Sequence, residues 1–286
     1  MHKNNKNISV GIIISTYNNP KWLEKTLWGY TNQSISFFEL IIADDGSGEE
    51  TKSLIEQFKA NYFPYLKHVW HPDNGFQKCR ILNKALTVAE SDYLIFTDQD
   101  CIPRRDFIET HLSFAEKGYI LSGGYYKLPM SISQAITQED IRANSIFDLK
   151  WLCKRGLSLN FKATKLIKSK VYAAFMNAIT PARATWNGCN ASGWREDMLS
   201  INGFNEDMLY GGEDREFGER LFRMGVRSKQ IRYSVICLHL DHKRPYKNEE
   251  IMTCNKMIRK NARRMKIIRT PNGINKDEDI SRYTNV

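Results

Sequence analysis

The sequence predicts an α/β fold in which a parallel β-sheet carries helices on both faces. Three observations predict it: apolar runs of strand length, helix-period segments between those runs, and polar residues directly after them. The apolar runs are largely continuous, which is typical of strands that are buried on both faces. With 286 residues, the chain can bury a sizeable core.

The first part of the chain alternates strand-like and helix-like segments. The predicted strands cover residues 8–14, 37–43, 68–70 and 93–97. A helix is predicted after each of the first three strands. The first begins at Asn19-Pro20, with proline at the first helical position, and the second begins at Ser47, which forms a capping box with Glu50. The third follows Asn74-Gly75. Strands joined by helical crossovers form a parallel sheet, whose carboxyl ends share one edge.

The pattern changes after residue 124. Residues 131–180 are predicted to be mostly helical, residues 213–224 form a helix, and residues 231–238 form a last strand. Between Lys150 and Phe175 there are seven Lys/Arg and no acidic residue, and residues 251–276 are also basic without an acid. We therefore predict a first half over residues 1–125, a second half with a basic helical segment over 126–245, and a basic tail over 246–286.

The net charge of +10 indicates an acidic partner, such as nucleotide phosphates, anionic lipid headgroups or nucleic acid. The N-terminal residues are polar, and no window holds the roughly 18 apolar residues of a membrane span. We therefore expect a cytoplasmic protein with reduced cysteines. The six cysteines include no CxxC pair, which disfavours a structural zinc site.

Three predicted strands end in polar residues that suit a ligand. They are Ser15-Thr16-Tyr17, Asp44-Asp45 and Asp98-Gln99-Asp100. Two carboxylates one residue apart suit Mg²⁺ or Mn²⁺, which share oxygen ligands with substrate phosphates. A solvated acidic turn is the alternative. The carboxylates of the Asp44-Asp45 pair can accept hydrogen bonds from a base or a ribose, and turn formation is the alternative for them.

These segments resemble a known family. Ile13-Ile-Ser-Thr-Tyr-Asn18, Ile42-Ala-Asp-Asp-Gly-Ser47 and Phe96-Thr-Asp-Gln-Asp100 resemble the signature segments of family 2 glycosyltransferases of the GT-A fold. Residues 187–242 resemble the C-terminal region of galactosyltransferases and of bacterial chondroitin-type polymerases, through Gly211-Gly-Glu-Asp214 and the later histidines. The resemblance implies a Rossmann-like, mostly parallel central sheet flanked by helices, with a helical basic insertion and a C-terminal helical extension.

The resemblance also implies a role for each motif. Asp214 is expected to be the base that deprotonates the acceptor hydroxyl, with Glu213 orienting the acceptor, although acids at a helix N-terminus also serve stability alone. Asp100, His239 and His242 are the expected metal ligands, and histidine favours Mn²⁺ over Mg²⁺. The expected nucleotide-sugar-binding residues are Ser15, Thr16, Tyr17, Asp44, Asp45, Arg80 and Asp98, with Lys78 considered beside Arg80.

An acceptor pocket is predicted from aromatic and polar residues of the second half. Its candidates are Trp186, Asn187, Asn190, Trp194, Tyr210 and Gly212. Aromatic faces can stack on sugar rings, whereas packing in the core is the alternative for the tryptophans.

The predicted function is inverting, metal-dependent transfer of a hexose or N-acetylhexosamine of the Gal, GalNAc, Glc or GlcNAc type. The donor is expected to be a UDP-sugar and the acceptor a glycan hydroxyl in bacterial surface polysaccharide or lipopolysaccharide synthesis. A lipid-linked glycan is one candidate acceptor, and no nucleic acid is expected. The basic segments fit either an anionic inner membrane face or core-packed helices with a solvated basic side.

Two other functions stay open at this point. A basic nucleic-acid-binding protein would explain the charge but not the carboxylates at the strand ends. An inactive sugar-binding relative is disfavoured by the intact Asp100 and Asp214. A nucleotidyltransferase ranks low, because residues 15–20 lack the glycines of a phosphate loop.

Overall fold

The predicted alternation of strands and helices is present in the first part of the chain. The computed structural model describes residues 8–181, 183–243 and 248–276. The first elements are β1 (Val10–Thr16), α1 (Pro20–Thr31), β2 (Glu39–Asp44), α2 (Glu49–Asn61), β3 (Lys67–Trp70), α3 (Lys78–Val88) and β4 (Tyr93–Asp98). All four predicted strands are therefore confirmed, with ends that differ by at most two residues.

The rest of the chain consists of shorter elements. They are β5 (Cys101–Pro103), α4 (Phe107–Phe114), β6 (Tyr119–Ser122), β7 (Gly124–Lys127), α5 (Met130–Ala135), α6 (Gln138–Arg142), α7 (Leu149–Lys154), α8 (Lys170–Ile179), β8 (Ala191–Trp194), α9 (Arg195–Ser200), α10 (Glu213–Arg223), β9 (Arg227–Gln230), β10 (Ile236–His239) and α11 (Glu249–Arg264). Two 3₁₀ helices cover Ser145–Phe147 and Phe161–Leu166. The basic segment is thus helical, but it is divided into short pieces.

A mostly parallel sheet forms the centre of the molecule, as predicted. Its seven strands lie in the order β3-β2-β1-β4-β8-β6-β9, and β1 to β4 run parallel to one another. β8 is antiparallel to both of its neighbours. A second sheet, in the order β5-β10-β7, lies beyond the end of β4. Both sheets use strands from either side of residue 125, so the predicted halves share one architecture.

The core lies on both faces of the large sheet. Ile12 and Ile14 of β1 belong to the apolar cluster on one face, together with Leu23 and Leu27 of α1. Ile13 belongs to the cluster on the opposite face, which also contains the apolar residues of α3 and α10. Side chains alternate between the faces of a strand, so a continuous apolar run supplies both clusters.

Two local predictions are wrong. The capping box at Ser47 does not form: α2 begins after Gly48, and the Ser47 hydroxyl instead accepts a hydrogen bond from the Asn18 amide at 2.8 Å. The last strand is shorter than predicted, because residues 231–235 are not in a strand and β10 begins at Ile236. The proline start of α1 is confirmed at Pro20.

The C-terminal helical extension is present as α11. Arg259 and Arg263 of α11 pair with Glu219 of α10 at 2.6 and 3.1 Å, and Asn255 donates to carbonyl groups of residues 209–211. The rest of the predicted basic tail, from residue 277 onward, lies outside the described residues. No helix in the described ranges combines the length and the apolar character that a bilayer crossing requires.

Candidate active site

A cavity of about 810 Å³ lies at the carboxyl ends of β1, β2 and β4. This is the edge at which ligands bind in open α/β sheets. Ser15 of β1 lies opposite Asp98 of β4 in the sheet register, so the strand-end residues are brought together. The predicted site residues that line the cavity are Ser15, Thr16, Tyr17, Asp45, Asp98, Asp100, Asn187, Tyr210, Glu213, Asp214, His239 and His242.

Asp100, His239 and His242 converge at one side of the cavity. The Nε2 atoms of His242 and His239 lie 2.9 and 3.8 Å from Asp100 Oδ2, and the two imidazole rings stack with their centroids 5.6 Å apart. β10 carries His239 beside Cys101 of β5, which follows Asp100 directly. The two histidines therefore lie at the end of β10 and in the segment that follows it, beside the end of β4.

The hydrogen bonds of the two imidazoles suit a divalent cation. His239 Nδ1 and His242 Nδ1 lie 2.8 Å from the carbonyl oxygens of Leu240 and Lys243. A carbonyl oxygen only accepts, so Nδ1 of each ring is the donor, and Nε2 is the ring atom that remains to bind a cation. Both Nε2 atoms are near the Asp100 carboxylate. A carboxylate with two imidazole nitrogens is a ligand set that fits Mn²⁺.

Asp98, the other carboxylate of the motif, is held by hydrogen bonds and an ion pair. Its Oδ1 accepts from the Ser15 hydroxyl and from Lys78 Nζ, both at 2.7 Å. Burial raises the pKa of Asp98, but the Lys78 ammonium and these hydrogen bonds outweigh burial and lower the pKa below its ordinary value. Asp98 is thus ionised and fixed, and it positions the Lys78 ammonium at the cavity wall.

Asp214 lies in the cavity wall at the start of α10. Its Oδ2 accepts a hydrogen bond from the Gly188 amide at 2.9 Å, whereas its enclosed Oδ1 has no partner among the described residues. A Cβ atom at position 188 would lie 2.7 Å from Oδ2, so only glycine allows this approach. Oδ1 is therefore an enclosed, unsatisfied acceptor on a residue that lines the cavity.

Burial decides the protonation of Asp214. The sequence predicts that the helix N-terminus keeps this carboxylate ionised. Burial is the largest influence and raises its pKa; the Lys78 ammonium counteracts it, while the Glu213 and Asp98 charges add to it, and the pKa reaches about 7. A carboxylate with a pKa near the working pH is suited to general-base chemistry. Its neighbour Glu213 is buried and accepts from the Gly211 amide at 2.8 Å.

The two aspartates at the end of β2 differ in their surroundings. Asp44 is fully buried, where it accepts from the Ser47 amide at 2.8 Å and pairs with His68 at 2.9 Å. Asp45 lines the cavity and contacts His71 Nε2 at 2.7 Å. The structure therefore gives Asp44 a turn-forming position and leaves Asp45 as the carboxylate of this pair that lines the cavity.

Several predicted site residues lie away from the cavity. Arg80 is on the exposed side of α3, and Lys78 of the same helix lines the cavity instead. Trp186 packs between Phe96 and Phe217 in the core, and Trp194 packs on Tyr93. Asn190 is fully buried, and its side chain contacts Gly124 and His111. Gly212 serves as the N-cap of α10 in the left-handed conformation.

Lys78 lines the cavity, although Arg80 was the predicted residue. The helical spacing of the apolar residues in α3 favours Lys78. Ile81, Leu82 and Ala85 form the buried side of α3. Residues three and four apart share one side of a helix, so position 78 lies on the same side as positions 81, 82 and 85, whereas position 80 does not. Phe76 also lines the cavity and was not predicted, and Gln99, which was named only within the Asp98-Gln99-Asp100 motif, lines it as well.

The chain matches two protein-family models. Residues 11–167 match the model described as glycosyl transferase family 2, and residues 175–243 match the model described as the N-terminal domain of galactosyltransferase. The second match contains Asp214, His239 and His242.

Similar sequences include bacterial polysaccharide synthases. The chain is 27% identical to a chondroitin synthase of Pasteurella multocida over 246 residues, covering 77% of this chain and 24% of that protein. It is 25% identical to a chondroitin synthase of Escherichia coli, covering 78% of this chain and 33% of that protein. The chain thus spans about a quarter to a third of the length of these relatives.

Solved structures support the fold. A mannosyltransferase of Pyrobaculum calidifontis, in complex with GDP-Man and Mn²⁺, superposes with a TM-score of 0.57 at 19% identity, covering 90% of this chain and 64% of that chain. Residues 1–349 of S. aureus TarS in complex with UDP-GlcNAc superpose with a TM-score of 0.56 at 15% identity, covering 83% of this chain and 60% of that chain. With the match of its larger part to the family model, the chain belongs to glycosyl transferase family 2 and has the GT-A fold.

Proposed function

We propose that the chain transfers a hexose or N-acetylhexosamine from a UDP-sugar to a glycan hydroxyl, with inversion at the anomeric carbon. The single observation that carries the proposal is the cavity that holds Asp214 beside the Asp100, His239 and His242 cluster. One wall offers an unsatisfied carboxylate with a raised pKa, and the other offers ligands for a divalent cation. A base and a cation site in one cavity suit a reaction in which an acceptor hydroxyl directly displaces a nucleoside diphosphate from the sugar.

In this proposal, Asp214 accepts the proton of the acceptor hydroxyl as that oxygen attacks the anomeric carbon. Its carboxylate provides the lone pair that takes the proton, and the Gly188 amide holds Oδ2. Asp214 stays free of a covalent bond, so one displacement suffices and the configuration inverts. Glu213 is buried beside Asp214, where it supports the orientation of the acceptor and raises the pKa of the base.

The donor end of the cavity is proposed to hold the nucleotide diphosphate. Asp100, His239 and His242 would hold Mn²⁺ or Mg²⁺, which supplies positive charge to the leaving diphosphate when it is bound. The Lys78 ammonium provides a second positive charge at the cavity wall. Thr16, Tyr17 and Asp45 lie at the strand ends, where they can contact the base and ribose.

The acceptor end is proposed to include Tyr210 and Asn187. Tyr210 packs edge-to-face on Phe76 with the ring centroids 5.8 Å apart, and both rings line the cavity. These aromatic rings can contact a sugar ring, while the Asn187 amide can bind its hydroxyls. Relatives named as chondroitin and hyaluronan synthases support a glycan acceptor and a role in surface polysaccharide synthesis. The proposal includes a lipid-linked acceptor at the inner face of the cell membrane.

The test is nucleoside diphosphate release from a panel of UDP-sugars, with GDP-mannose as the alternative donor and Mn²⁺ present. We expect release from one or two UDP-sugars and its loss in Asp100→Ala. Release from GDP-mannose alone would overturn the UDP assignment and keep the transferase. No release from any donor, together with no binding of UDP·Mn²⁺ or GDP·Mn²⁺ in a thermal-shift assay, would favour an inactive relative.

A further inference from the structure

α8 carries an exposed face that is apolar apart from Lys170 in its first turn. Ala173 and Met176 of this helix are buried against Tyr233. The opposite side holds Val171, Ala174, Phe175, Ala178 and Ile179, all of them exposed. The largest of these side chains, at positions 171, 175 and 179, are 82%, 58% and 54% exposed. A surface helix normally presents polar residues to water. An exposed apolar face of this kind is typical of a surface that contacts a partner or a membrane.

The orientation of α8 is fixed by hydrogen bonds on its buried side. The Asn177 side chain donates to Ser234 Oγ at 2.9 Å and accepts from the Tyr233 amide at 2.9 Å. Gln230 donates to the Asn177 carbonyl at 3.2 Å. These bonds hold the helix with its apolar face outward.

Basic residues precede this face in the sequence and begin its helix. The exposed basic residues that precede and begin α8 are Lys150, Lys154, Arg155, Lys162, Lys168 and Lys170. Among the ion pairs of the described residues, only Arg155 of this set has a carboxylate partner, Asp140 at 3.6 Å. Leu159 and Phe161, which lie between these lysines, are 64% and 69% exposed. The segment therefore combines exposed apolar side chains with an excess of positive charge, although Asp148 interacts with Lys150 and Lys168.

We propose that this docking face, formed by the exposed apolar residues of 159–179 and their neighbouring lysines, seats the protein on an anionic phospholipid bilayer. Apolar side chains can enter the boundary between headgroups and acyl chains, while lysine ammonium groups meet the lipid phosphates. Charge complementarity selects an anionic bilayer, because no acidic residue occurs between Lys150 and Arg195 to repel it. The core-packed alternative for this segment requires these apolar residues to be buried, and they are exposed.

The docking face borders the candidate active site. Lys165 of the 3₁₀ helix Phe161–Leu166 donates to the Tyr125 carbonyl at 3.4 Å, with its ammonium 5.7 Å from the centre of the Tyr125 ring. Tyr125 lines the cavity. A bilayer on this face would therefore present a lipid-anchored acceptor near the cavity. This acceptor role rests on the proposed function, whereas the docking itself does not.

Vesicle co-sedimentation tests the docking face. Wild-type protein is mixed with vesicles of phosphatidylglycerol and phosphatidylcholine, or of phosphatidylcholine alone, at low and high salt. The variant is Val171→Ser/Phe175→Ser/Ile179→Ser. The matched control is Phe37→Ser/Tyr65→Ser, which removes side chains that are 92% and 89% exposed elsewhere. We expect salt-sensitive binding to the anionic vesicles, weakened about tenfold or more in the α8 variant and unchanged in the control.

Two results would overturn the docking face. One is equal vesicle binding by wild type and the α8 variant, or no preference of the wild type for anionic vesicles. The other is a concentration-dependent dimer in sedimentation that the α8 variant abolishes, which would make the face an interface between copies of the chain. Circular dichroism checks that the variant is folded.

Activity toward soluble nucleotide sugars separates the two proposals. Nucleoside diphosphate release in the absence of vesicles should be unchanged in the α8 variant, because none of its residues lines the cavity. Vesicle binding by a protein that releases no nucleotide would keep the docking face and remove the proposed function. Nucleoside diphosphate release by a protein that does not bind vesicles would keep the proposed function and remove the docking face.

Discussion

At the scale of single residues, the state of Asp214 governs the chemistry that we propose. Its carboxylate is enclosed and receives one hydrogen bond, and Lys78 is the main positive charge that acts on it. The negative charges of Glu213 and Asp98 act in the same direction as burial. The surroundings therefore give Asp214 a pKa near neutral pH, at which the carboxylate can both accept and release a proton.

The pKa of about 7 predicts a pH dependence of activity. Asp214 works as a base only when it is deprotonated, so kcat/KM of the free enzyme should rise with pH through about 7. It should fall about tenfold for each pH unit below that value. Initial rates measured from pH 5 to pH 9 at saturating Mn²⁺ test this, with the affinity for UDP·Mn²⁺ followed in parallel. A flat profile above pH 5 would contradict the assignment of the base.

The stability of the fold should respond to the same group in the opposite sense. The folded-state pKa is raised above the ordinary value of 3.8, so protonation favours the folded state between those two pH values. The penalty for the ionised carboxylate is complete above about pH 7. At pH 8 we expect Asp214→Asn to have the same Tm as wild type or a higher one. A strongly lowered Tm would mean that the variant loses activity by unfolding.

The residues that line the cavity were predicted correctly where a motif lies at a strand end. They were predicted poorly where the question was whether a side chain lies in the cavity or in the core. Asp98, Asp100 and Asp214 line the cavity as expected, because motif and strand end agree. Trp186 and Trp194 were assigned to a pocket and lie in the core. An aromatic side chain suits both environments, and the sequence does not state which neighbours will surround it.

At the scale of elements, α10 is the structure that carries Glu213 and Asp214 into the cavity. Arg220 is fully buried in its last turn, and its guanidinium donates to Glu216 at 2.8 Å and to the carbonyls of Ile201 and Gly203 at 2.7 Å. These bonds tie α10 to the loop after α9. The start of the helix, with Glu213 and Asp214, is therefore positioned by a buried polar network at its other end.

Arg220→Ala should lower the free energy of unfolding by about 3–5 kcal/mol. The reason is that it leaves the buried Glu216 carboxylate and two carbonyl groups without a donor. Urea denaturation measures the change. Arg215→Ala is the matched control, because Arg215 is an exposed arginine of the same helix and should change stability by about 0.5 kcal/mol or less. Equal effects of the two substitutions would contradict the role of the network.

Elements with a distinct apolar run or helical period were predicted from the sequence. The four parallel strands have apolar runs, and α10 was found at its observed start. β5, with three residues, was not predicted, and β10 was predicted only within a longer strand over residues 231–238. β8 lies beside β4 in the sheet and pairs Ala191 with Phe96. These residues are far apart in the sequence, so local sequence patterns do not predict the pairing.

At the scale of the whole molecule, the cavity is assembled from both predicted halves. Asp98 and Asp100 come from the first half, and Asp214, His239 and His242 come from the second. The sequence motifs predicted these members, but their convergence depends on β8 and β10 pairing with strands of the first half. Cation binding should therefore stabilise the protein across both halves.

Mn²⁺ should raise the Tm of the protein, because a ligand that binds only the folded state stabilises it. The gain is about 2.7 kcal/mol at a cation concentration 100 times the Kd. Asp100→Asn should remove most of the rise, whereas Glu49→Gln, an exposed acid in α2, should keep it. Thermal-shift titrations with Mn²⁺ and Mg²⁺ measure the effect. The same rise in wild type and Asp100→Asn would contradict a cation site at this cluster.

The central claim is that Asp214 deprotonates the acceptor in a direct displacement. The most direct measurement is transfer of sugar from the preferred donor to a glycan acceptor by wild type and Asp214→Asn, with the anomeric configuration of the product determined by NMR. We predict an inverted product from wild type and transfer reduced about 10²–10⁴-fold in Asp214→Asn, with the affinity for UDP·Mn²⁺ unchanged. Transfer within tenfold of wild type by Asp214→Asn, or a product that retains the donor configuration, would contradict it.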